Sequence, residues 1–222
     1  MKVDNYTATV DRLDPNDALE WLFTVAPEHE GLSLGKDGSV KRYRYEHAVP
    51  VADGRHVVAV VRWGGNGDGT NIELKGSIAH ETFGLLRSRW EHRVSRLDVA
   101  VDGSAPGLFD RTFTAIHELH ESLPRNRKPA FRQEGDWVFR APGTSRTAYF
   151  GSAGAGMTVV MYEKGLEREI VAGYVEQDPN WVRLEARIQP QTRDAKAMLS
   201  QIDPAAAWVL SGWAPQWLEI FN

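Results

Sequence analysis

The sequence predicts an α+β fold with a largely antiparallel central sheet and flanking helices. Short segments with period-two alternation of polar and apolar residues recur along the chain, and several follow one another as hairpin arms do. Helical segments lie between them. Two of these open on Asp14-Pro15 and Asp203-Pro204, where aspartate can cap the helix and proline suits its first turn. This mixture of hairpins and helices is typical of the α+β class.

The elements are predicted in the following order. Strands are expected over residues 5–10, 40–51, 56–63, 71–75, 96–102, 137–140, 147–150, 157–163 and 181–188. Helices are expected over residues 15–25, 78–91 and 110–123, and again near the C-terminus. Segments 31–38 and 64–69 are rich in glycine and predict turns. We expect one main domain over residues 1–190, with residues 191–222 as a helical extension packed on it.

Composition excludes several classes of protein. The 222 residues include no cysteine, which rules out a disulfide scaffold and a thiolate zinc site. The chain shows no secretory leader and no apolar run of membrane length, so we expect a cytoplasmic protein without a membrane partner. The formal net charge of −4 argues against a uniformly positive surface, but it allows a local basic groove beside an acidic site.

Charged residues share one face of several predicted strands. Alternation divides Arg96–Asp102 into a charged face and an apolar face, and Arg183–Ile188, Asn71–Lys75 and Thr158–Lys164 show related patterns. A half-exposed sheet explains each strand taken alone. Carboxylates in the middle of several strands are costly unless they are paired or hold a cation. Together the strands therefore favour a polar functional face.

Such a face suits phosphate chemistry. Converging carboxylates can bind Mg²⁺ or Mn²⁺, which prefer oxygen ligands. A cation at that position could polarise a scissile phosphate. A tyrosine on a neighbouring strand could then attack the phosphorus, giving a phosphotyrosyl intermediate and a free 3′-hydroxyl.

Four motifs in order resemble those of the replication initiation factors of staphylococcal-type rolling-circle plasmids, related phages and relaxases of some integrative conjugative elements. They are R-x-D-x-A-x-D at Arg96–Asp102, Y-x-G-S at Tyr149–Ser152, Y-x-K at Tyr162–Lys164 and R-x-E at Arg183–Glu185. The strand Asn71–Gly76 also resembles the family's short acidic strand. The resemblance spans residues 5 to 190 and implies a rolling-circle nuclease-like fold for residues 1–190.

The resemblance implies a role for each matching residue. Tyr162 takes the position of the nucleophile. Tyr149 competes for that role or contacts DNA beside it, and the alternative for Tyr149 is a packed aromatic residue beside the site. The implied phosphate contacts are Lys164, Arg96 and Arg183. The implied ligands of Mg²⁺ or Mn²⁺ are Asp98 and Glu185, with Glu73 and Asp102 as additions. For Asp102, capping the turn that follows its strand is an equal alternative.

The function implied by the resemblance is nicking of one strand at an origin, with single-stranded or extruded origin DNA as the substrate. This function is compatible with a homodimer and with a helicase partner. The alternative is a catalytically inactive DNA-binding accessory or regulatory protein, which is favoured by Val160 in place of the family's arginine, by the acidic net charge and by the short C-terminus. Two further departures affect the local phosphate contacts: the second serine after Gly151-Ser152 is missing, and Arg187 stands where an additional acid can occur.

Two further groups of residues could contact ligands. The basic run Arg125, Arg127, Lys128 and Arg132 could follow a DNA backbone, although a solvated loop is an equal alternative. His117 and His120 are spaced as neighbours on a helix face and could share a metal. A partly exposed helix face explains these two histidines more simply.

Overall fold

The computed structural model describes residues 1–26, 31–37, 44–66, 69–139, 144–152, 156–172 and 178–221. Within these ranges the strands are β1 (Lys2–Val10), β2 (Leu32–Leu34), β3 (His47–Asp53), β4 (His56–Trp63), β5 (Thr70–Lys75), β6 (Arg93–Ser104), β7 (Phe131–Gly135), β8 (Arg146–Phe150), β9 (Met157–Glu163) and β10 (Trp181–Ile188). The helices are α1 (Pro15–Val25), α2 (Gly76–Arg89), α3 (Leu108–Ser122), α4 (Lys164–Ala172), α5 (Arg193–Leu199), a 3-10 helix (Pro204–Leu210) and α6 (Ala214–Phe221).

The chain forms two compact units. The N-terminal unit consists of Lys2–Asp98 and Gln189–Ile202, and the C-terminal unit consists mainly of Val99–Ile188 and Asp203–Asn222. Strand β6 contributes its first half to the former and its second half to the latter. Both units are antiparallel sheets with flanking helices, which confirms the predicted α+β class.

In the N-terminal unit the strand order is β2-β3-β4-β5-β1-β6. Helices α1 and α2 pack against β1, β4 and β5. The ring of Tyr6 on β1 lies 5.9 Å from that of Phe83 on α2, and Ile72 and Leu74 of β5 are fully buried. Alternation along the strands therefore directs Thr7 and Glu73, which are register partners, to the opposite face.

In the C-terminal unit the strand order is β6-β10-β9-β8-β7. Helices α3 and α6 cover one face of this sheet: the ring of Phe150 lies 4.3 Å from that of Trp217 on α6 and 5.6 Å from that of His120 on α3. Because successive side chains alternate between faces, Tyr149, one residue before Phe150, belongs to the other face. The register places Tyr162 on that same face, since it pairs with Thr147, two residues before Tyr149.

The Asp-Pro signals mark true helix starts. The side chain of Asp14 accepts a hydrogen bond from the backbone N–H of Asn16 at 2.8 Å, and Pro15 begins α1. Asp203 caps the 3-10 helix in the same way, accepting from the backbone N–H of Ala205 at 2.7 Å. Both caps satisfy backbone donors that the first helical turn leaves without partners.

The predicted strand over residues 137–140 is wrong: Trp137–Phe139 form bends, Arg140 lies outside the described residues, and the strand is β7. Asp136 explains the difference. Its carboxylate accepts hydrogen bonds from the backbone N–H groups of Val138 and Phe139 at 3.2 and 2.8 Å, a local turn that competes with strand pairing.

Other boundaries also differ from those predicted. Lys164 begins helix α4, an element that was not predicted, and the turn-rich segment 31–38 contains the short strand β2. The predicted strand over 40–51 is observed from His47, and its residues 40–43 lie outside the described part of the chain. In the residues that the structure describes, no helix has both the length and the apolar character needed to cross a membrane.

Candidate functional site

The centre of the candidate site is a hydrogen bond between a tyrosine and a glutamate. Tyr162 on β9 pairs with Arg183 on β10, and Glu185 lies two residues further along β10 on the same face. The Tyr162 hydroxyl donates to Glu185 Oε2 at 3.0 Å. Arg187 Nε donates to the other oxygen, Oε1, at 2.6 Å. The Glu185 carboxylate is thus held between a phenol and a guanidinium.

The Tyr162–Glu185 pair is buried. The exposed fraction is 7% for Tyr162 and 1% for Glu185. A buried carboxylate is stable only when its oxygens have donors, and here both oxygens have one. The arrangement places a proton acceptor within hydrogen-bond distance of a tyrosine hydroxyl on the polar face of the sheet.

Lys164 follows Tyr162 at the end of β9. Its Nζ lies 5.3 Å from the centre of the Tyr162 ring and 2.8 Å from Glu167 Oε2. The next residue must be glycine for steric reasons, because a Cβ at Gly165 would lie 1.9 Å from the carbonyl oxygen of Asp178. The close approach of that backbone fixes where β9 ends and α4 begins, and with it the position of Lys164.

Asp102 forms an ion pair with Arg183, the other predicted basic residue of this unit. Arg183 Nε donates to Asp102 Oδ1 at 2.7 Å and Arg183 Nη2 donates to Oδ2 at 3.0 Å. The Trp181 indole N–H also donates to Asp102 Oδ1, at 2.8 Å. In this arrangement Asp102 orients Arg183 beside Tyr162 through a two-pronged ion pair.

A second tyrosine lies on the same face, as part of β8. The Tyr149 hydroxyl donates to Glu134 Oε2 of β7 at 3.0 Å, and the guanidinium carbon of Arg132 lies 4.0 Å from the ring centre. Arg132 also donates a hydrogen bond to Glu134. Burial of the ring, followed by the hydrogen bond to Glu134, raises the pKa of the Tyr149 hydroxyl.

The opposite face of this sheet holds a structural ion-pair cluster. Arg146 Nη2 donates to Glu163 Oε1 at 2.9 Å and Nη1 donates to Asp110 on α3 at 2.6 Å. The Arg146 guanidinium also lies 4.2 Å from the centre of the Phe109 ring. Glu163 adjoins Tyr162 in sequence but belongs to this helix-covered face, where it ties β9 to β8 and, through Arg146, to α3.

Three of the predicted residues, Glu73, Arg96 and Asp98, belong to the N-terminal unit. Glu73 accepts a hydrogen bond from Arg62 Nη2 at 2.5 Å, and the Asn5 side chain donates to it at 3.4 Å. Arg96 Nε lies 3.0 and 2.9 Å from the two carboxylate oxygens of Asp98. Both carboxylates are nearly inaccessible to solvent and are neutralised by arginine.

A preformed metal site is not among these arrangements. Over the described ranges, no group of three or more histidine, aspartate or glutamate side chains is placed to hold a metal ion. Each of the four predicted ligands instead accepts a hydrogen bond from an arginine; they are Glu73, Asp98, Asp102 and Glu185. These carboxylates are thus paired with arginine as placed, and the ligand assignments stay predictions.

The basic loop between α3 and β7 is only partly available to a ligand. Lys128 Nζ lies 3.1 Å from both the carbonyl oxygen and Oε2 of Glu121, whereas Arg125 and Arg127 are exposed. His120 is buried and its Nε2 lies 2.8 Å from the carbonyl oxygen of Pro129. These contacts give His120 a role in joining α3 to this loop.

Sequence reasoning did not identify Glu134 or Arg187 as parts of the site. Glu134 was missed because the strand was predicted at 137–140, and strand alternation over Phe131–Gly135 would have placed it beside Arg132. Alternation placed Arg187 on the charged face of its strand, but the only comment on its role was that it departs from a family pattern. Its alternation with Glu185 along β10 was the signal that the two side chains share a face.

Comparison with known proteins identifies the class to which this fold and face belong. The sequence profile of the replication initiation factors matches residues 92–207, so the chain belongs to that family, as its motifs predicted. Its fold is similar to that of a rolling circle replication initiator protein from Geobacillus stearothermophilus, with a TM-score of 0.59 and 22% sequence identity. The alignment covers 90% of this chain and 76% of that one. No curated protein matches the chain.

Proposed function

We propose that this replication initiation factor nicks one strand of origin DNA, with Tyr162 as the nucleophile. The observation that supports the proposal best is the hydrogen bond from Tyr162 to Glu185 Oε2 at 3.0 Å. A phenol becomes an effective nucleophile when its proton leaves, and a carboxylate at this distance can accept that proton as the attack proceeds.

The proposed step is a transesterification. The Tyr162 hydroxyl oxygen attacks the scissile phosphorus, and its proton passes to Glu185. The bond between phosphorus and the 3′ oxygen breaks, and that oxygen takes up a proton from solvent to become a free 3′-hydroxyl. The 5′ phosphate stays on Tyr162 as a phosphotyrosyl ester, which conserves the energy of the broken phosphodiester bond.

Positive charge around the tyrosine suits a phosphate substrate. Arg183 pairs with Tyr162 across the strands, Arg187 bonds to Glu185, and Lys164 lies over the ring. Cationic donors fixed near the reacting phosphate stabilise the negative charge that develops on its oxygens. Because Tyr162 is buried in a sheet face, the DNA strand must be unpaired to present a phosphate in line with the tyrosine hydroxyl. We therefore propose single-stranded or extruded origin DNA as the substrate.

A requirement for Mg²⁺ or Mn²⁺ is a separate proposal. It is motivated by the carboxylates of Asp102 and Glu185 on one unit, which are oxygen ligands of the kind these ions prefer. Nicking measured in EDTA and then with each ion restored tests it. Full activity in EDTA would show that the arginines and Lys164 suffice.

The test of the nicking proposal uses the protein and 3′-labelled single-stranded oligonucleotides that tile the DNA flanking its gene, with Mg²⁺ or Mn²⁺ present. The 3′ label stays with the strand that becomes joined to tyrosine. We expect a labelled band that survives denaturing electrophoresis with the wild type and with Tyr45→Phe, a matched control outside the site. Tyr162→Phe should give none. An absence of adduct with the wild type, or an equal yield with Tyr162→Phe, would refute the proposal.

The second candidate function is a DNA-binding accessory protein without nicking activity. Two observations favour it: Val160 stands where the family has arginine, and Tyr162 is only 7% exposed. The same oligonucleotides distinguish the two functions. An accessory protein shifts their electrophoretic mobility but forms no covalent adduct. A homodimer and a helicase partner also stay predictions, and sedimentation of the protein with and without DNA tests the first.

A further inference from the structure

Two adjacent apolar residues directly after strand β7 are displayed to solvent. Val138 is 79% exposed and Phe139 is 89% exposed, and no other large apolar side chain in the described part of the chain exceeds 67%. A phenylalanine ring left in water forgoes the stabilisation that burial would give it. Isolated exposed apolar residues are common on protein surfaces, but these two lie side by side. We call Val138 and Phe139 the apolar tip.

The apolar tip is held in a defined turn. The Asp136 carboxylate accepts hydrogen bonds from the backbone N–H groups of both tip residues, at 3.2 and 2.8 Å. The Trp137 indole N–H donates to the carbonyl oxygen of Glu134 at 2.9 Å, and the Trp137 ring lies 4.7 Å from that of Phe113 on α3. Trp137 thus packs against the helix, whereas the two residues that follow it project into water. A backbone that is already ordered loses less conformational entropy when its side chains bind a ligand.

The apolar tip follows the part of β7 that lies level with Tyr162. The register pairs Glu134 with Thr147 and Thr147 with Tyr162, so these three residues form one row across β7, β8 and β9. Neighbouring strands lie about 4.7–4.9 Å apart, so the row spans roughly 10 Å. Phe139 follows Glu134 by five residues, which reach at most about 18 Å. DNA that presents a phosphate to Tyr162 therefore has nearby nucleotides within reach of the tip.

The chemistry of the tip suits bases rather than phosphates. Val138 and Phe139 carry no charge, and the Asp136 carboxylate is bonded to their backbone. Glu134, the other nearby carboxylate, accepts hydrogen bonds from Arg132 and from the Tyr149 hydroxyl. The surface offered to a ligand is an aromatic ring beside an aliphatic group. The face of an unpaired base stacks on such a ring regardless of its sequence.

The size of the tip also favours bases over a second protein. A phenylalanine side chain buries about 150–250 Å², and valine is smaller. Together the two side chains stay well below the roughly 800 Å² that each partner buries in a standard protein interface. One or two bases are an occupant of matching size. Apolar side chains of this kind are known to enter base stacks and hold neighbouring bases apart.

From the exposure of the tip, its fixed turn and its place beside the Tyr162 row, we infer that it binds unpaired bases of the DNA strand that Tyr162 attacks. Phe139 stacks on the face of one base, and Val138 packs beside it. The inference rests on the proposed function for its ligand, unpaired origin DNA. It adds a contact that keeps the bases near the scissile phosphate from stacking or pairing elsewhere.

The experiment is a double-mutant cycle between the protein and DNA. The probe is the single-stranded oligonucleotide, among those tiled across the DNA flanking the gene, that binds most tightly; versions of it each contain one abasic nucleotide. Fluorescence anisotropy gives the dissociation constants, with Tyr162→Phe as the parent protein so that covalent capture does not add to binding. We expect Phe139→Ala to weaken binding of the intact oligonucleotide about 5–150-fold, the range for loss of one base–aromatic stack. On the version that lacks the stacked base it should cost less than about twofold, because the partner is already absent.

Phe23→Ala is the matched control, since it removes a phenylalanine that is 41% exposed on α1, and it should leave affinity within about twofold. Phe139→Trp should restore the affinity that Phe139→Ala loses. The inference is overturned if Phe139→Ala binds the intact oligonucleotide as its parent does, or loses equally on every abasic version. Altered sedimentation of the protein alone, with DNA affinity unchanged, would also overturn it and assign the tip to contacts between copies of the chain. Coupling to one base without any covalent adduct from wild type would retain this inference and refute the nicking proposal, and an adduct without coupling would do the reverse.

Discussion

Strands β5 and β9 end in similar sequences, yet the residues at matching positions make different contacts. Strand β5 ends in Ile72-Glu73-Leu74-Lys75 before Gly76 begins α2, and β9 ends in Met161-Tyr162-Glu163 before Lys164-Gly165 begins α4. Two residues before the lysine, β5 carries Glu73, bonded to Arg62 at 2.5 Å. The same position of β9 carries Tyr162, bonded to Glu185 at 3.0 Å.

The difference separates a structural pair from a reactive one. Arg62 and Glu73 are each 3% exposed, and an arginine does not release its proton at ordinary pH. Their pair can therefore hold β4 to β5 but cannot transfer a proton. In Tyr162 and Glu185 a neutral phenol meets a carboxylate, and the shared proton can move when the phenol oxygen forms a new bond. The charge state of the pair thus decides which position can support chemistry.

The largest expected effect follows from removing the proton acceptor at β10. Glu185→Gln keeps the size of the side chain but cannot take the proton of Tyr162, so adduct formation should fall by about 10²–10⁴-fold. The rate of adduct formation on the labelled oligonucleotide measures this. Glu118→Gln, the same change at an exposed position of α3 outside the site, is the matched control and should leave adduct formation unchanged. Equal losses in both variants would remove the distinction between the two carboxylates.

The corresponding change on β4, removal of the Arg62 side chain, should lower the stability of the folded protein. Arg62→Ala leaves Glu73 buried without its arginine, which typically costs about 3–5 kcal/mol of unfolding free energy. Urea unfolding followed by circular dichroism measures the loss. Arg132→Ala removes an exposed arginine from Glu134 and should cost less than about 1 kcal/mol. A similar cost for both variants would contradict a structural role specific to the Arg62–Glu73 pair.

The glycine that follows each of the two lysines provides a further comparison, with smaller expected effects. At Gly165 a methyl group would meet the carbonyl oxygen of Asp178, and the backbone shift needed to admit it should cost about 1–3 kcal/mol. Gly76 has space for a methyl group but a φ of +60°, so Gly76→Ala should cost about 1–2 kcal/mol through strain. Only Gly165→Ala should also slow adduct formation, because it displaces Lys164. Unchanged adduct formation with Gly165→Ala would contradict the positioning role given to this glycine.

The smallest effect concerns a tyrosine that has no proposed reaction. In the N-terminal unit the Tyr6 hydroxyl lies 2.6 Å from His92 Nε2. Burial lowers the pKa of His92, with Arg87 acting in the same direction and the hydrogen bond to the Trp90 carbonyl opposing it. Below pH 6.5 the unfolded chain takes up a proton that the folded chain excludes. Stability should therefore fall as the pH is lowered through this range, and His92→Gln should flatten that dependence. An unchanged slope would contradict this account.

The elements that the sequence predicted best are those with local signals. Asp14 and Asp203 cap helices because their side chains bond to a backbone N–H two residues away, and alternation fixes which face of β9 or β10 a residue joins. Glu134 escaped prediction because its role depends on the register of β7 with β8. The turn that Asp136 forms ends the strand before Trp137–Phe139. These apolar residues predicted a strand by their composition alone.

The hydrogen-bond partners of each carboxylate also could not be predicted from the sequence. Alternation placed Glu185 and Arg187 on one face and the resemblance singled out Glu185, but neither indicated that Arg187 and Tyr162 share its two oxygens. Helix α4 was missed because Lys164-Gly165 is a weak start signal without a capping side chain, and the close approach of Asp178 that favours glycine there is a long-range contact. Local patterns thus predicted the face, and long-range packing determined its pairs.

The most direct test of the central claim is the location of the phosphotyrosyl bond formed first. Trypsin leaves Tyr149 and Tyr162 in one peptide, but cyanogen bromide cleaves after Met157 and Met161 and separates them. The adduct would be trimmed with nuclease to a labelled nucleotide, cleaved in this way and identified by mass spectrometry. We predict the label on the fragment from Tyr162 to Met198. Label on the fragment ending at Met157, or on any residue other than Tyr162, would contradict the claim.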